Sequence, residues 1–203
     1  MGGVPALALV AALLCAPARA GEEKVVALVP FGPVDDRLVE VARAAIERRL
    51  RGAVGVAPRR ELPRAAWASA RRRWRAEKIL EALQEDPPPG AFKVVAMTDA
   101  EISTTKGDIP DWRVAGLGNI GGLACVTSMW INLRHSATRA TLDRRTADLV
   151  IHELGHTLGL PHCETPRCVM RDAKGRYLET ADSSSGDFCE QCKASLPADL
   201  LRR

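Results

Sequence analysis

Apolar residues recur along the chain with two different spacings, and the spacing predicts the elements. Residues 24–30 and 92–97 are nearly continuous apolar runs rich in β-branched side chains, which is typical of buried strands. Residues 52–57 predict a further short strand. Over residues 36–50 the apolar positions recur every three or four residues behind the capping residue Asp35, which predicts an amphipathic helix.

The most basic part of the chain, residues 59–83, also has a helical apolar spacing. A stripe through Trp67, Trp74 and Leu83 predicts a helix over residues 63–84 whose arginines face solvent. An arginine–aromatic surface for nucleic acid is the alternative interpretation. The formal net charge is only 29 − 25 = +4, too small an excess to indicate that partner, so we expect no nucleic-acid binding.

Glycines and polar residues divide the second half of the chain. Residues 104–112 predict a polar connection, and residues 114–120 and 123–133 predict an outer and an inner strand. The glycines between residues 118 and 122 suit either close approach of an extended peptide or an ordinary turn, and the pattern leaves both open. Residues 171–188 are hydrophilic, which predicts a surface loop.

A helix is predicted over residues 141–159, and it carries the chemistry. Its first part has no Pro or Gly, whereas Gly159 and Pro161 end it. His152 and His156 are four residues apart, so both imidazoles lie on one helix face and can bind one metal ion. His162 returns after the helix as a third ligand. Three histidines leave a fourth position for water, as in catalytic rather than structural zinc sites.

Glu153 follows the first histidine directly, about 100° further round the helix. It can therefore stand beside the metal without binding it. In that place it is the candidate general base and acid for hydrolysis of a peptide bond. A non-catalytic, zinc-stabilised binding module is the alternative, although such a module would not need a carboxylate beside the metal.

Four cysteines follow the histidines: Cys163, Cys168, Cys189 and Cys192. Their spacing suits a tetrahedral thiolate zinc site. Two disulfides are the alternative in an oxidising compartment, and a redox-active Cys-x-x-Cys pair is a third.

The combined string HExxHxxGxxHC-x4-CxM…CxxC over residues 149–192 resembles the archaemetzincins, a metzincin family of zinc peptidases. The resemblance implies two zinc ions, a catalytic one on the three histidines and a structural one on the four cysteines. It also implies that Met170 is the methionine of the Met-turn beneath the catalytic site. Aminopeptidase-like cleavage, or cleavage of short peptides, is a further implication.

Length and composition are compatible with an ordinary folded enzyme. The chain has 203 residues and 46% hydrophobic but only 4% aromatic residues, so its core is mainly aliphatic. Together with the resemblance, the pattern predicts one α+β domain over residues 21–203. We expect a metzincin-like zinc-peptidase domain with a mixed twisted sheet of four or five strands, an active-site helix and a small Cys-rich C-terminal subdomain.

The N-terminal residues 1–20 predict a secretory signal peptide. Residues 5–16 are apolar but too short to span a bilayer, and residues 18–20 form a small-x-small cleavage pattern. We therefore expect a secreted or periplasmic protein with no stable membrane anchor after cleavage, and a retained anchor or a buried helix is the alternative interpretation of this segment. We also expect a monomer. Its expected partners are peptide or protein substrates.

Overall fold

The computed structural model describes residues 24–202, and its main sheet has five strands. These strands are β1 (Val25–Phe31), β2 (Ala53–Val56), β5 (Ala91–Thr98), β8 (Gly116–Gly118) and β9 (Ala124–Ser128). Their order is β2-β1-β5-β9-β8. All pairs are parallel except β8 with β9, so the antiparallel edge strand β8 makes the sheet mixed.

A second, four-stranded sheet has the order β3-β4-β6-β7. Its strands are β3 (Trp67–Ala68), β4 (Arg73–Arg75), β6 (Ile102–Lys106) and β7 (Ile109–Val114). Because a single residue, Ala115, separates β7 from β8, the second sheet leads directly into the edge strand of the first.

Six helices complete the described fold. They are α1 (Asp36–Arg49), α2 (Ala76–Glu85), α3 (Trp130–His135), α4 (Arg139–Thr157), α5 (Tyr177–Ser183) and α6 (Glu190–Ala194). Alternate residues of β5 enter two different cores, because successive side chains of a strand point to opposite faces. Val95 joins the core that contains residues of α1 and α4, whereas Val94 joins the core that contains residues of α2.

The predicted α+β class is confirmed by this mixed sheet, by α4 and by the C-terminal cysteine cluster. The helix over residues 36–50 and the strands over 24–30, 52–57 and 92–97 are also found. Asp35 caps α1 as expected, since its carboxylate accepts a hydrogen bond from the backbone N–H of Arg37.

The predicted helix over residues 63–84 is wrong in its first half. Residues 64–66 form a 3₁₀ turn, β3 and β4 form a hairpin, and only α2 is helical. Trp67 pairs with Trp74 across the hairpin, with ring centroids 5.1 Å apart. Residues that are seven apart in sequence lie on the same face of a helix after two turns. In a hairpin with a four-residue turn, residues seven apart in sequence can also be cross-strand partners, as Trp67 and Trp74 are here.

Three other segments also differ from the prediction. Residues 104–112 are not a connection, because β6 and β7 form an antiparallel pair there. The inner strand ends at Ser128, after which α3 occupies the rest of residues 123–133. The hydrophilic segment 171–188 contains the short helix α5.

Within residues 24–202, no helix has both the length and the apolar character needed to cross a membrane. The predicted signal peptide, residues 1–20, lies outside the described residues. That residues 21–203 form one domain stays a prediction.

Candidate metal centres

Helix α4 places the first two histidines and the glutamate in its last turns. It begins at the N-cap Thr138, whose hydroxyl accepts a hydrogen bond from the backbone N–H of Thr141. It ends where Gly159 adopts φ +99°, a conformation that favours glycine. The backbone N–H of Leu160 then donates to the carbonyl of Gly155, which satisfies an otherwise unpaired carbonyl at the helix end.

The three histidines meet at one point, since His152, His156 and His162 each offer a ring nitrogen within 4.8 Å of the others. The Nδ1 atoms of His152 and His156 lie 2.7 Å from the Val169 carbonyl and 2.8 Å from the Leu160 carbonyl. Because a carbonyl only accepts, both Nδ1 atoms carry the proton, and both Nε2 atoms present lone pairs.

Those two Nε2 atoms lie 3.2 Å apart. Two facing lone pairs repel one another unless a cation shares them. A tetrahedral zinc with bonds of about 2.0–2.1 Å separates its nitrogen ligands by about 3.4 Å. The donor set therefore fits zinc.

Burial keeps the first two imidazoles neutral. It lowers the pKa of His152 to about 4, with a further contribution from the charge of His156. It also lowers the pKa of His156. Both rings are therefore neutral at neutral pH, with the Nε2 atom unprotonated, which is the form that binds a metal ion.

The third histidine has a different environment. His162 is exposed, and its Nδ1 lies 3.9 Å from a carboxylate oxygen of Asp172. The pKa of Asp172 is lowered, chiefly by the backbone N–H of Lys174. A carboxylate in this place can orient the imidazole for metal binding. No spacing in the sequence indicated this residue.

Glu153 lies in the cleft beside the histidines and is buried, with only 6% of its surface exposed. Burial raises the pKa of its carboxyl group to about 8. The two glycines of β8 approach it closely: a Cβ atom on Gly116 would lie 2.5 Å from Glu153 Cγ, and one on Gly118 would lie 2.7 Å from the Glu153 carbonyl oxygen. Because Gly116 and Gly118 alternate in the sequence, a strand with glycines along one face could have been predicted. The sequence did not indicate that this face packs against α4.

Met170 is fully buried beneath the helix. A Cβ atom on Gly155 would collide with its sulfur, so the methionine packs against the turn of α4 between the two histidines. Its carbonyl accepts a hydrogen bond of 2.9 Å from the backbone N–H of Cys163. Met170 therefore lies directly beneath the helix turn that carries the two histidines, and its role in a Met-turn stays a prediction.

The four cysteines form a second cluster whose sulfur atoms all lie within 4.8 Å of one another. The Cys163–Cys189 and Cys168–Cys192 sulfur distances are 3.7 and 3.8 Å, too long for a disulfide bond of about 2.05 Å. A tetrahedral zinc with Zn–S bonds of about 2.3 Å has sulfur–sulfur edges of about 3.8 Å. The cluster fits a thiolate zinc site.

One of these thiols is set up to ionise. Burial opposes ionisation of Cys189, but hydrogen bonding, first from the backbone N–H of Cys192, outweighs it and lowers the pKa to about 6. The lowered pKa favours the thiolate form of Cys189, which is the form that binds metal.

A cleft of about 690 Å³ extends from the histidine centre. On one side it is bounded by β7 and on the other by the segment after Met170. The two sides come into contact at Trp112 and Gly175, where Trp112 Cζ2 lies 4.0 Å from the position that a Cβ atom on Gly175 would occupy. At the inner wall the Tyr177 hydroxyl donates a 3.1 Å hydrogen bond to the Asn132 side-chain oxygen.

Comparison with known proteins relates this site to a family. A family model described as Peptidase family M54 matches residues 48–198. The chain is similar to the archaemetzincin of Halobacterium salinarum, with 27% identity over 83% of this chain and 97% of that protein. It is also similar to the archaemetzincin of Aeropyrum pernix, with 29% identity over 83% of this chain and 91% of the relative.

The fold is similar to a solved structure as well. The crystal structure of archaemetzincin from Methanopyrus kandleri superimposes with a TM-score of 0.73 and 26% identity, covering 87% of this chain and 95% of that one.

Proposed function

The chain belongs to peptidase family M54, and from this premise we propose how its side chains act. Family membership makes it a zinc metallopeptidase, a hydrolase whose substrates are peptides or proteins. The predicted enzyme class and the archaemetzincin resemblance are thereby confirmed. We propose that His152, His156 and His162 hold the catalytic zinc. Glu153 is the general base and acid.

The observation that carries this proposal is the pair of unprotonated Nε2 atoms that face each other at 3.2 Å beside a buried carboxyl group. Zinc bound there supplies Lewis-acid chemistry, which lowers the pKa of a water ligand towards ~7 and polarises the substrate carbonyl. Glu153 takes a proton from the attacking water while the water oxygen bonds to the carbonyl carbon. As the C–N bond breaks, Glu153 gives that proton to the leaving amine.

Replacement of the carboxylate tests this role. Glu153→Gln keeps the size of the side chain but cannot accept the proton, so kcat should fall by about 10²- to 10⁴-fold. Zinc content should stay at the parent level, because the three imidazoles are unchanged. A zinc-loaded Glu153→Gln enzyme with parental turnover of a quenched peptide would remove Glu153 from the mechanism.

The substrate lies along β8 in this proposal. Among the described residues this strand has a partner on one side only, and it passes directly over α4. An extended peptide can therefore add to its free edge through backbone hydrogen bonds. We propose that the enzyme cleaves in an aminopeptidase-like mode, as the resemblance to the archaemetzincins implies. Two peptides of one sequence, with a free or an acetylated N-terminus, test it, because an aminopeptidase cleaves only the free one.

The four cysteines hold a second, structural zinc in this proposal. The support is the near-tetrahedral spacing of their sulfur atoms, 3.7 and 3.8 Å for two of the pairs. Metal analysis of the parent, His152→Ala and Cys189→Ala tests the number of ions. Two zinc ions in the parent and one in each variant are expected. One ion in the parent with no free thiols would instead indicate two disulfides.

We also propose that the protein is secreted or periplasmic and acts as a monomer. The support for export is the apolar segment and cleavage pattern of residues 1–20. N-terminal sequencing of the exported protein should begin at Gly21. Light scattering of the purified protein should give the mass of one chain, and a dimer mass would contradict the monomer.

A further inference from the structure

Strand β8 approaches the zinc helix more closely than any side chain would permit. A Cβ atom at Gly116 would lie 2.5 Å from both Cγ and Oε1 of Glu153 and 2.6 Å from Cδ. These are distances that non-bonded atoms do not adopt, since carbon atoms attract one another best at about 3.5–4.0 Å. The backbone of Gly116 therefore occupies the space directly against the Glu153 carboxylate.

The pattern within the strand shows that this approach is specific to one face. Gly116 and Gly118 alternate with Leu117, and alternate residues of a strand share a face. The two glycines face α4, whereas Leu117 packs on the other side of the sheet, against the core that contains α2. Only the face towards the catalytic helix is without side chains.

The strand is also held in place. Gly116 is in register with Thr127 of β9. The backbone N–H of Ser128 donates a 2.7 Å hydrogen bond to the carbonyl of Ala115, the residue before Gly116. A clash at Gly116 therefore cannot be relieved simply by movement of the strand. The Glu153 side chain is the part that has to move.

We propose that Gly116 is a positioning residue for catalysis. Because it has no side chain, it leaves room for the Glu153 conformation that directs the carboxylate to the reacting water. The inference rests on the proposed role of Glu153. Gly116 itself need not contact the substrate, since its effect is transmitted through the glutamate.

Gly116→Ala tests the idea. The added methyl group displaces the carboxylate, and a misplacement of about 1 Å can cost on the order of 10²-fold in rate. We expect kcat to fall by about 10- to 100-fold, while KM and zinc content stay near their parental values. Unchanged kcat in a folded, zinc-loaded Gly116→Ala enzyme would overturn the proposal.

Gly55→Ala is the matched control. Gly55 also lies in a strand of the main sheet, in β2 at the opposite edge. The nearest neighbour of a Cβ atom there is Val25 Cγ1 at 3.9 Å, which is ordinary contact. This variant should keep the parental kcat, and an equal loss in both variants would mean that alanine in this sheet is harmful wherever it is placed.

A double-mutant cycle with Glu153→Ala separates positioning from general damage. This substitution removes Cγ, Cδ and the carboxylate, which include the three atoms nearest to the new methyl group. Gly116→Ala should therefore lower neither the residual activity nor the melting temperature of Glu153→Ala. If it lowers the melting temperature equally in both backgrounds, Gly116 has a structural role only.

The outcomes also separate this inference from the proposed function. An active Glu153→Gln enzyme would contradict the role of Glu153 whatever Gly116→Ala does. An inactive Glu153→Gln enzyme beside a fully active Gly116→Ala enzyme would contradict the positioning role alone.

Discussion

Two adjacent residues of the zinc helix have pKa values that the same cause moves in opposite directions. Burial disfavours charge, so it lowers the pKa of His152 to about 4 and raises that of Glu153 to about 8. In the metal-free protein both residues therefore favour their neutral forms. In the proposed function, zinc held by the three histidines would reverse the preference of the carboxyl group, because a nearby cation stabilises its anion.

The chelated protein should therefore show a pH dependence that Glu153 controls. The folded state holds the Glu153 proton from the ordinary pKa of 4.5 up to about 8, whereas the unfolded state releases it. Folding stability thus falls as pH rises through this window. In urea unfolding with chelator present, Glu153→Gln should gain about 1–4 kcal/mol relative to the parent between pH 5 and pH 8.

Glu85→Gln is the control for this measurement, since Glu85 is an exposed glutamate on α2. It should not change the stability difference between the two pH values. If Glu153→Gln and the parent follow the same pH curve, the buried carboxyl group does not hold a proton in the folded state.

At the level of single residues, much of the candidate site could be predicted from sequence. The ligand spacing of His152 and His156 follows from helix geometry, so a local pattern is enough to bring them together. Asp172 and Gly116 could not be predicted, because neither loop geometry after His162 nor the packing of β8 on α4 follows from a local sequence pattern. Nothing near either residue in sequence indicates the histidine or the glutamate that it contacts.

The end of α4 depends on the backbone freedom of one glycine. Gly159 has φ +99°, and there is open space where its Cβ would be. Alanine would therefore be strained by the backbone alone, at a cost of about 1–2 kcal/mol. Because the chain must turn here for His162 to return to the other histidines, Gly159→Ala should also weaken zinc retention against a competing chelator.

Gly32→Ala is a close match for this variant. Gly32 has φ +63° and also has open space around the Cβ position, but it follows β1. It should lose a similar free energy of unfolding in urea and retain zinc as the parent does. Equal zinc retention in both variants would show that the turn at Gly159 does not position His162.

Elements defined by local signals were predicted better than those defined by distant partners. The cap at Asp35 and the periodicity after it were enough to predict α1. The β3–β4 hairpin was missed because its strands are only two and three residues long and β4 pairs with β6, whose sequence gave no indication of this contact. The β6–β7 hairpin had a usable signal in Gly107, which has φ +55° in the turn.

For the whole molecule, the second zinc that we propose at the four cysteines should contribute to global stability. The cysteine cluster joins the segment after His162 to α6. Cys189→Ala should therefore lower the melting temperature by roughly 5–15 °C, since each kcal/mol corresponds to about 2–4 °C in a chain of this size. Differential scanning calorimetry of the zinc-loaded variant and parent measures this change.

Chelator and reductant distinguish the two possible roles of the thiols. If the cluster binds zinc, a strong chelator should lower the parental melting temperature, and reductant alone should not. Disulfides would give the opposite result. Because the three histidines also lose their metal in chelator, His152→Ala is the appropriate background for the comparison.

The arrangement of the whole sheet was the least predictable level. The class, and a main sheet of four or five strands, follow from the sequence pattern together with the family resemblance. The order β2-β1-β5-β9-β8 does not, since β1 and β5 are neighbours although about sixty residues separate them in the chain. The second sheet was not predicted at all, because its strands are short and largely polar.

The free edge of β8 could promote aggregation of the protein. Backbone groups that are open to a peptide are equally open to a strand of another protein chain, and long apolar edges promote aggregation. This edge is three residues long, and two of them are glycine, which has low β-propensity. The glycines thus have two effects. They allow the zinc helix to approach β8 closely, and they make the free edge of β8 less prone to pair with a strand of another protein chain.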